Sequence, residues 1–271
     1  MNDSKIIYQQ IRNATVKIVY KGITLLVDPY FVPKGGSGCF QIAPKPELKK
    51  LKNPLNDLPF SIEEIIKNID AVIVTHTHGD HWDNYAAKSI PKTVPIFVQN
   101  DSDKNWLKSQ GFKDVQIVGN DTSFKGITIT KNEGKHGTDE VISYFGGDFG
   151  TCMGFVLRAT GEKTVYFTGD TVWTENFELA IKNYNPDYIV MNAALPLYDG
   201  VKGSSTMGED DVKRCCELFK KPKIIVTHLD CLAHCFSTSK TIKKVVEKNN
   251  LQDRVIIPKD GEIVSLWKFN I

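Results

Sequence analysis

Residues 71–83 of the chain read AVIVTHTHGDHWD. The segment opens with a continuous run of apolar and β-branched residues, 71–75, which predicts a strand covered on both faces. Three histidines and one aspartate follow directly: His76, His78, Asp80 and His81. Imidazoles and a carboxylate crowded into six residues have no use in a hydrophobic interior, but they are ligand types that zinc takes in proteins.

The spacing of these side chains predicts a site for two ions. Alternate residues of an extended chain point the same way, so His76 and His78 can converge on one ion. A turn then lets Asp80 and His81 face a second ion, which is the arrangement of two-metal hydrolysis. A solvated histidine-rich loop is the competing interpretation. The position at the end of a buried strand, where α/β folds keep their sites, favours the metal site.

Three further ligand candidates each follow a predicted strand. His136 lies in a loop after one strand, Asp170 emerges beyond the tip of another, and His228 follows a third, apolar strand. Taken singly, a loop histidine or a Gly-Asp turn is ordinary. Because all three arrive at strand ends, as His76 does, we predict that they share one site with it.

Short strands outnumber helices along the chain, and helices interrupt both halves. Alternation with period two predicts a hairpin over residues 16–27, and the sequence 61–64 is typical of a helix capping box. Residues 28–60, rich in proline and glycine, are predicted to form a long loop that walls a pocket together with residues 192–208. The other predicted strands are 71–75, 96–99, 115–118, 127–131, 154–159, 164–168, 188–191, 223–227 and 263–267. The other predicted helices are 83–89, 101–110, 175–183, 209–219 and 237–248.

No shift in composition typical of a linker divides the chain. We therefore expect one domain over residues 1–271. Mixed sheets packed face to face, with helices on the outside, would satisfy the order of the elements, so the predicted fold class is α+β.

Composition narrows the function. The chain carries 34 Lys and Arg against 32 Asp and Glu, and a net charge of +2 predicts no dominant basic field and no nucleic-acid partner. No apolar run approaches the ~20 residues of a membrane span. The N-terminal residues 1–5 are polar, without the apolar segment of a secretory signal behind them. We therefore expect a cytoplasmic protein without a membrane partner.

The six cysteines fit a reducing compartment, where free thiols are the rule. Cys231 and Cys235 have a spacing that metal sites also use, with His228 and His234 nearby. They lack the second cysteine pair of a structural zinc site, so we do not assign them as ligands.

The histidine motif and its later partners resemble the metallo-β-lactamase superfamily. Its signature H-x-H-x-D-H is intact over residues 76–81, and His136, Asp170 and His228 match its later ligands. The resemblance implies a four-layer αββα sandwich, two mixed β-sheets flanked by helices, in which each half supplies part of the site. The implied ligands of one ion are His76, His78 and His136, and those of the other are Asp80, His81 and His228, with Asp170 as the bridge.

Within the superfamily, the chain looks most similar to the branch of lactonases that act on phosphorylated ascorbate. The stretches that carry this likeness are 53–59, 168–173 and 228–235. Trp82-Asp83 replaces the double glycine of members similar to glyoxalase II, which argues against thioester hydrolysis. His78 stands where the diiron flavoproteins of the superfamily carry Glu, which argues against oxygen reduction.

The ligand set predicts the chemistry. Two divalent ions that share a water lower its pKa towards ~7, so a bridging hydroxide is available at neutral pH. It would attack a carbonyl or phosphoryl centre while the ions neutralise the developing oxyanion. Zinc is the expected ion, and manganese or iron could occupy the same nitrogen and oxygen ligands.

Individual roles follow for five residues. Asp80 is predicted to orient the hydroxide and to accept its proton, since a carboxylate beside two cations stays ionised. His234 is predicted to act as a general acid, with a substitute ligand or an ordinary loop histidine as alternatives. Asp83 either holds a ligand imidazole in its correct tautomer or interacts with a helix dipole. Trp173 and Asn192, just beyond strand tips, are predicted to line the substrate pocket, with core packing as the alternative for Trp173.

The sequence thus predicts a dinuclear hydrolase that cleaves a small anionic ester, lactone or phosphoester. A second hypothesis is a metal-dependent phosphodiesterase or nuclease, which would need a basic groove that the dispersed lysines do not supply. A third is a non-catalytic metal-binding protein that keeps the site for stability or sensing. The oligomeric state stays open, and a homo-oligomer is one of the outcomes that the sequence allows.

Overall fold

The computed structural model describes residues 6–147 and 149–266 of the chain. One seven-stranded sheet comprises, in spatial order, β16 (Ile263–Leu266), β1 (Ile6–Arg12), β2 (Thr15–Tyr20), β3 (Ile23–Val27), β6 (Ala71–Ile73), β7 (Ile96–Val98) and β8 (Val115–Ile117). A second comprises β15 (Val255–Ile256), β14 (Lys223–Thr227), β13 (Tyr188–Asn192), β12 (Val165–Phe167), β11 (Cys152–Arg158), β10 (Ile127–Gly134) and β9 (Thr122–Phe124). A two-stranded sheet pairs β4 (Gly38–Cys39) with β5 (Lys52–Asn53). The helices are α1 (Ile62–Ile66), α2 (Asn84–Ser89), α3 (Asp101–Ser109), α4 (Asp139–Phe145), α5 (Glu175–Tyr184), α6 (Glu209–Leu218) and α7 (Ser239–Lys248), with a 3-10 turn at Leu48–Lys50.

The two large sheets follow the same plan. In the first, β1, β2 and β3 run antiparallel, and β3, β6, β7 and β8 run parallel. In the second, β9 to β12 run antiparallel, and β12 to β15 run parallel. Because the carboxyl ends of parallel strands meet at one edge of a sheet, side chains that follow β6, β12 and β14 can converge there.

Three hydrophobic clusters define four layers. The central cluster joins the facing surfaces of both sheets, to which β3 contributes Leu25 and Val27. The intervening Leu26 points the other way, into a cluster shared with α1, α2 and α3. The outer face of the second sheet packs on α5, α6 and α7. The expected α+β sandwich with helices outside both sheets is therefore confirmed.

Local sequence explains several boundaries. The predicted hairpin is present, and its turn residues Lys21 and Gly22 both have positive φ, as a type I′ turn requires. The predicted capping box is also present, because Ser61 accepts from the Glu64 amide and Glu64 accepts from the Ser61 amide. All six cysteines are free thiols.

The structure also contains elements that the sequence did not predict. Buried polar residues, Gln10 and Arg12, interrupt the apolar alternation of β1 and so hide it. Helix α4 and the short strands β4, β5 and β9 were missed as well, because their apolar patterns are short. The predicted strand 263–267 extends to Trp267, which lies outside the described residues. Among the described residues, no helix has the length and apolarity needed to cross a membrane.

Candidate metal centre

The first group of candidate ligands lies on one turn between β6 and α2. The amides of His81 and Trp82 both donate to the His78 carbonyl at 2.9 Å, and this closes the turn. The carbonyl of Thr75 accepts from the Met153 amide at 3.1 Å, so the second sheet is tied to the start of the same segment. The motif therefore sits where the two sheets meet.

The second group arrives from three separate strands of the other sheet. His136 follows β10, Asp170 follows β12 and His228 follows β14. All three are buried, and His228 adopts a left-handed backbone with φ of 66°. The expectation that single residues at separate strand tips share one site thus agrees with the geometry.

Nitrogen and oxygen atoms of the seven predicted ligands converge in two triads and a bridge. We call His76, His78 and His136 the imidazole triad, and Asp80, His81 and His228 the carboxylate triad. In each triad one ligand atom per residue lies within 4.8 Å of the others, and the same holds for the set His76, His81 and Asp170.

Measured distances show how tightly the groups face one another. His136 Nε2 lies 3.0 Å from His78 Nδ1, and His228 Nε2 lies 3.1 Å from Asp80 Oδ2. Asp170 Oδ2 lies between the triads, 3.3 Å from His81 Nε2 and 4.0 Å from His136 Nε2. This is the position that a bridging carboxylate needs.

The donor set fits metal ions. Nε2 of His76 is buried and has no hydrogen-bond partner among the described residues, which is costly unless something coordinates it. Nε2 of His81 and Nε2 of His228 face each other at 3.2 Å, as two ligands of one ion would. Imidazole and carboxylate donors together suit zinc and other divalent first-row metals.

The two triads differ in electrostatics. Burial lowers the pKa of His136 to about 4, and His78 acts in the same direction against Asp170. In the carboxylate triad burial also opposes the charge on His81, but Asp170, Asp80 and Asp28 outweigh it and raise the pKa of His81 to about 10. Imidazole neighbours likewise overcome burial and hold the pKa of the Asp170 carboxyl well below its usual value. The environment of His136 therefore favours a neutral ring, and that of His81 favours a charged ring paired with carboxylates.

Polar groups outside the cluster orient the ligands. Asp28 Oδ2 lies 2.9 Å from His81 Nδ1, and both oxygens of Asp28 also accept from Thr75 at 2.7 Å. The Ser205 carbonyl lies 3.0 Å from His136 Nδ1. Such partners fix the tautomer and the ring orientation of a ligand histidine. Sequence reasoning did not assign Asp28 a role, although its place at the end of β3 repeats the strand-tip pattern.

Asp83 does not orient an imidazole. Its Oδ1 accepts from the amides of Tyr85 and Ala86 and so caps α2. Its Oδ2 accepts from the Phe31 and Val32 amides and ties the long loop to this helix. The carboxylate that orients a candidate ligand imidazole is therefore Asp28, which contacts His81, and not Asp83.

The two predicted substrate-binding residues lie away from the pocket wall. Trp173 packs edge-on against Phe177 at 4.8 Å, and its indole N–H donates to Glu178 at 2.8 Å. Asn192 Nδ2 donates to Asp170 Oδ1 at 2.6 Å, and the side chain is buried. Neither side chain is among the described residues that line the pocket: Trp173 packs beside α5, and Asn192 holds the Asp170 carboxylate.

His234 lines the pocket, but its pKa does not lie near neutrality as the role of general acid requires. Its ring stacks on Phe40 at 4.0 Å between centroids, and Nδ1 is buried without a partner among the described residues. Burial lowers the pKa of His234 to about 4 despite the nearby Asp80. The ring is therefore neutral at pH 7, where a general acid of ordinary pKa would be partly charged.

A pocket of about 380 Å³ opens over the cluster. Its floor includes His78, Asp80, His136, Asp170 and His228. Its apolar wall comes from Tyr30, Phe40, Phe149, Pro196, Tyr198 and Leu232. The predicted walls, loops 28–60 and 192–208, both contribute. Among the described residues that line this pocket there is no lysine or arginine, which leaves the expected anionic substrate without a basic partner from the protein.

Comparisons with known proteins agree with the fold. Residues 25–229 match the family model of the beta-lactamase superfamily domain. UPF0173 protein YddR of Bacillus subtilis is 36% identical over 93% of this chain and 97% of its own. A UPF0173 metal-dependent hydrolase of Methanocaldococcus jannaschii is 28% identical over 85% of this chain and 98% of its own.

Two solved structures are similar over nearly their whole length. One is described as a possible metal-dependent hydrolase from Veillonella parvula, with 39% identity, a TM-score of 0.92 and coverage of 97% of this chain and 100% of that one. The other is isothiocyanate hydrolase from Delia radicum gut bacteria, with 32% identity, a TM-score of 0.90 and coverage of 96% and 99%.

These matches define a class of metal-dependent hydrolases. The chain belongs to the beta-lactamase superfamily and, within it, to the UPF0173 family. The expected enzyme class, a metal-dependent hydrolase of this superfamily, is confirmed at the level of the family.

Proposed function

We propose that this protein is a dinuclear hydrolase of small, neutral, apolar electrophiles, with an isothiocyanate as the favoured substrate class. The pocket carries the proposal: aromatic side chains wall it, His78, Asp80, His136, Asp170 and His228 form its floor, and its described lining contains no lysine or arginine. A neutral molecule with an aromatic or alkyl group matches that wall. The name of the relative with isothiocyanate hydrolase activity supports the choice of substrate class.

The site residues divide the work. Two divalent ions, zinc in the first instance, would be held by the two triads with Asp170 between them, and when bound they supply a water of lowered pKa and neutralise developing negative charge. We assign Asp80 as the acceptor of the proton that the water loses, because its carboxylate lines the pocket beside the other candidate ligands. The neutral ring of His234 hydrogen-bonds to the departing group from the wall.

The overall reaction balances with one water. Its oxygen bonds to the central carbon of the isothiocyanate, and both of its hydrogens end on the nitrogen. The bond between this nitrogen and the central carbon breaks, while the bond from the nitrogen to the organic group stays. The products are an amine and carbonyl sulfide. Stacking of Phe40 on His234 places an aromatic surface next to the polar group that would meet the nitrogen.

Other functions demand features that the site does not offer. A phosphorylated lactone, as the likeness to the ascorbate lactonases suggests, calls for a cation in the wall beyond the ions themselves. A nuclease calls for a basic groove along the nucleic-acid backbone. We propose a small molecule as the substrate. We also propose a cytoplasmic location.

The test is a substrate panel with the metal-loaded full-length protein. Benzyl isothiocyanate, a neutral lactone, a phosphorylated lactone, bis-p-nitrophenyl phosphate and RNA are compared by kcat/KM, with metal content measured on the same sample. We expect the isothiocyanate to give the highest value and RNA to give none.

Turnover of the phosphorylated lactone above the isothiocyanate would reject the neutral substrate class. A sample with full metal content that cleaves no member of the panel would favour a non-catalytic metal-binding protein.

A further inference from the structure

Asn13 touches both halves of the metal centre from a tight turn. It lies between β1 and β2, is 1% exposed and has a left-handed backbone with φ of 55°. Its side-chain Nδ2 donates to the Asp80 carbonyl at 3.1 Å and to Asp80 Oδ2 at 3.2 Å. The Asp80 carbonyl can only accept, and so can its ionised carboxylate, so the amide must present its nitrogen to both groups.

The main chain of the same residue holds the other half. The Asn13 carbonyl accepts from the His228 amide at 3.0 Å and from the Thr227 hydroxyl at 2.8 Å. It also accepts from Gln10 Nε2 at 2.8 Å, which fixes the carbonyl within its own hairpin. One residue therefore contacts Asp80, which follows the first sheet, and His228, which follows the second.

These two contacts converge on one triad. Asp80 Oδ2, the oxygen that receives the amide of Asn13, is also the atom 3.1 Å from His228 Nε2. On the basis of the proposed function, we propose that Asn13 is a positioning residue that sets the spacing and orientation of Asp80 and His228 for the ion of the carboxylate triad. Both hydrogen bonds that the Asn13 side chain donates go to Asp80, a member of the carboxylate triad.

Few residue types can meet both demands at this position. The positive φ favours Gly, Asn or Asp. Glycine keeps the turn and the carbonyl but has no donor for Asp80. Aspartate keeps the shape but sets a second carboxylate against Asp80. Asparagine alone of the three provides both the backbone and the donor.

The test measures zinc affinity of the full-length protein by competition with a chromophoric chelator. A His136→Ala background removes one ligand of the imidazole triad, so the tighter remaining event reports the carboxylate triad. We expect Asn13→Gly to weaken that event by about 10- to 100-fold, the usual effect of losing a partner of a ligand. Asn13→Asp should weaken it further. In the unaltered background, Asn13→Gly should leave the other binding event within about twofold.

Asn185→Gly is the matched control. Asn185 also has a left-handed backbone, with φ of 44°, and ends α5 on the surface, where its carbonyl accepts from Lys221. It should change neither zinc affinity. An Asn13→Gly protein that binds both ions as the wild type does would overturn the inference, and so would equal weakening of both events. A wild type without a second binding event would overturn the proposed function itself.

Discussion

The two large sheets follow one plan yet supply their ligands differently. The first sheet delivers four from a single turn, residues 76–81, while the second delivers His136, Asp170 and His228 from three separate strand ends. A contiguous group keeps its mutual geometry through local hydrogen bonds, as the turn closed on the His78 carbonyl shows. Scattered ligands keep theirs only through the sheet. The difference implies that the site depends on how the two sheets dock.

The largest expected effect comes from breaking one triad from either side. His78→Ala and His136→Ala remove ligands of the same triad, one from each sheet, whose nitrogens lie 3.0 Å apart. A bound ion contributes several kcal/mol to a transition state, so a loss of about 4 kcal/mol lowers kcat/KM about 1,000-fold in either variant. Each variant should also lose one ion per chain by elemental analysis.

His234→Ala serves as the control for this pair, because His234 lines the pocket but belongs to neither triad. It should keep both ions while its turnover falls. If His78→Ala lost an ion and His136→Ala kept it, the imidazole triad would not span the two sheets, and the comparison between them would fail.

The same contrast explains what the sequence could predict. The spacing of the histidines and the aspartate within residues 76–81 is local, so this motif can be recognised from the sequence without knowledge of the fold. Assigning His136, Asp170 and His228 needed the strand-tip argument and the family resemblance together. Asp28 and Asn13 escaped notice because their roles depend on contacts across 53 and 67 residues of sequence, to His81 and Asp80 respectively. The strand-tip pattern could have pointed to Asp28, which follows β3, but it does not identify the partner of either residue.

A smaller effect, on zinc affinity, should distinguish Asp28 from Asp83, which both lie near the turn that carries residues 76–81. Asp28→Asn leaves the shape at His81 Nδ1 but removes the charge that holds this ring, so zinc affinity should fall about 10- to 100-fold. Asp83→Asn makes the same chemical change at a helix cap; its remaining oxygen can still cap α2, and the lost acceptor for the Phe31 and Val32 amides lowers stability rather than ion binding. Its zinc affinity should equal that of the wild type, as measured by chelator competition.

Asp83→Ala completes the comparison. Loss of the cap of α2 and of the acceptor for the Phe31 and Val32 amides should reduce the free energy of unfolding by about 2–4 kcal/mol without changing the number of bound ions. Weaker zinc binding in Asp83→Asn than in Asp28→Asn would reverse the assignment of the two carboxylates.

The place of Trp173 in the second sheet differs from that of Asp170. Both residues follow the tip of β12, but three positions after Asp170 the chain has turned into the packing beside α5. Asn192 shows the opposite case, since it stayed near the ligands but bonds to Asp170. In the second sheet each candidate ligand comes from a different strand end. A residue close in sequence to such a ligand therefore need not point into the site.

The smallest expected effect tests that conclusion. Trp173→Phe removes the indole donor to Glu178 and keeps a ring against Phe177, so the free energy of unfolding should fall by only about 0.5–1 kcal/mol. The kcat and KM values should stay at those of the wild type. Phe40→Leu is the counterpart on the pocket wall, where loss of the ring stacked on His234 should raise KM for an aromatic substrate. A raised KM in Trp173→Phe, with an unchanged KM in Phe40→Leu, would contradict this expectation. It would show that Trp173 contacts the substrate and that the strand ends of the second sheet face the substrate.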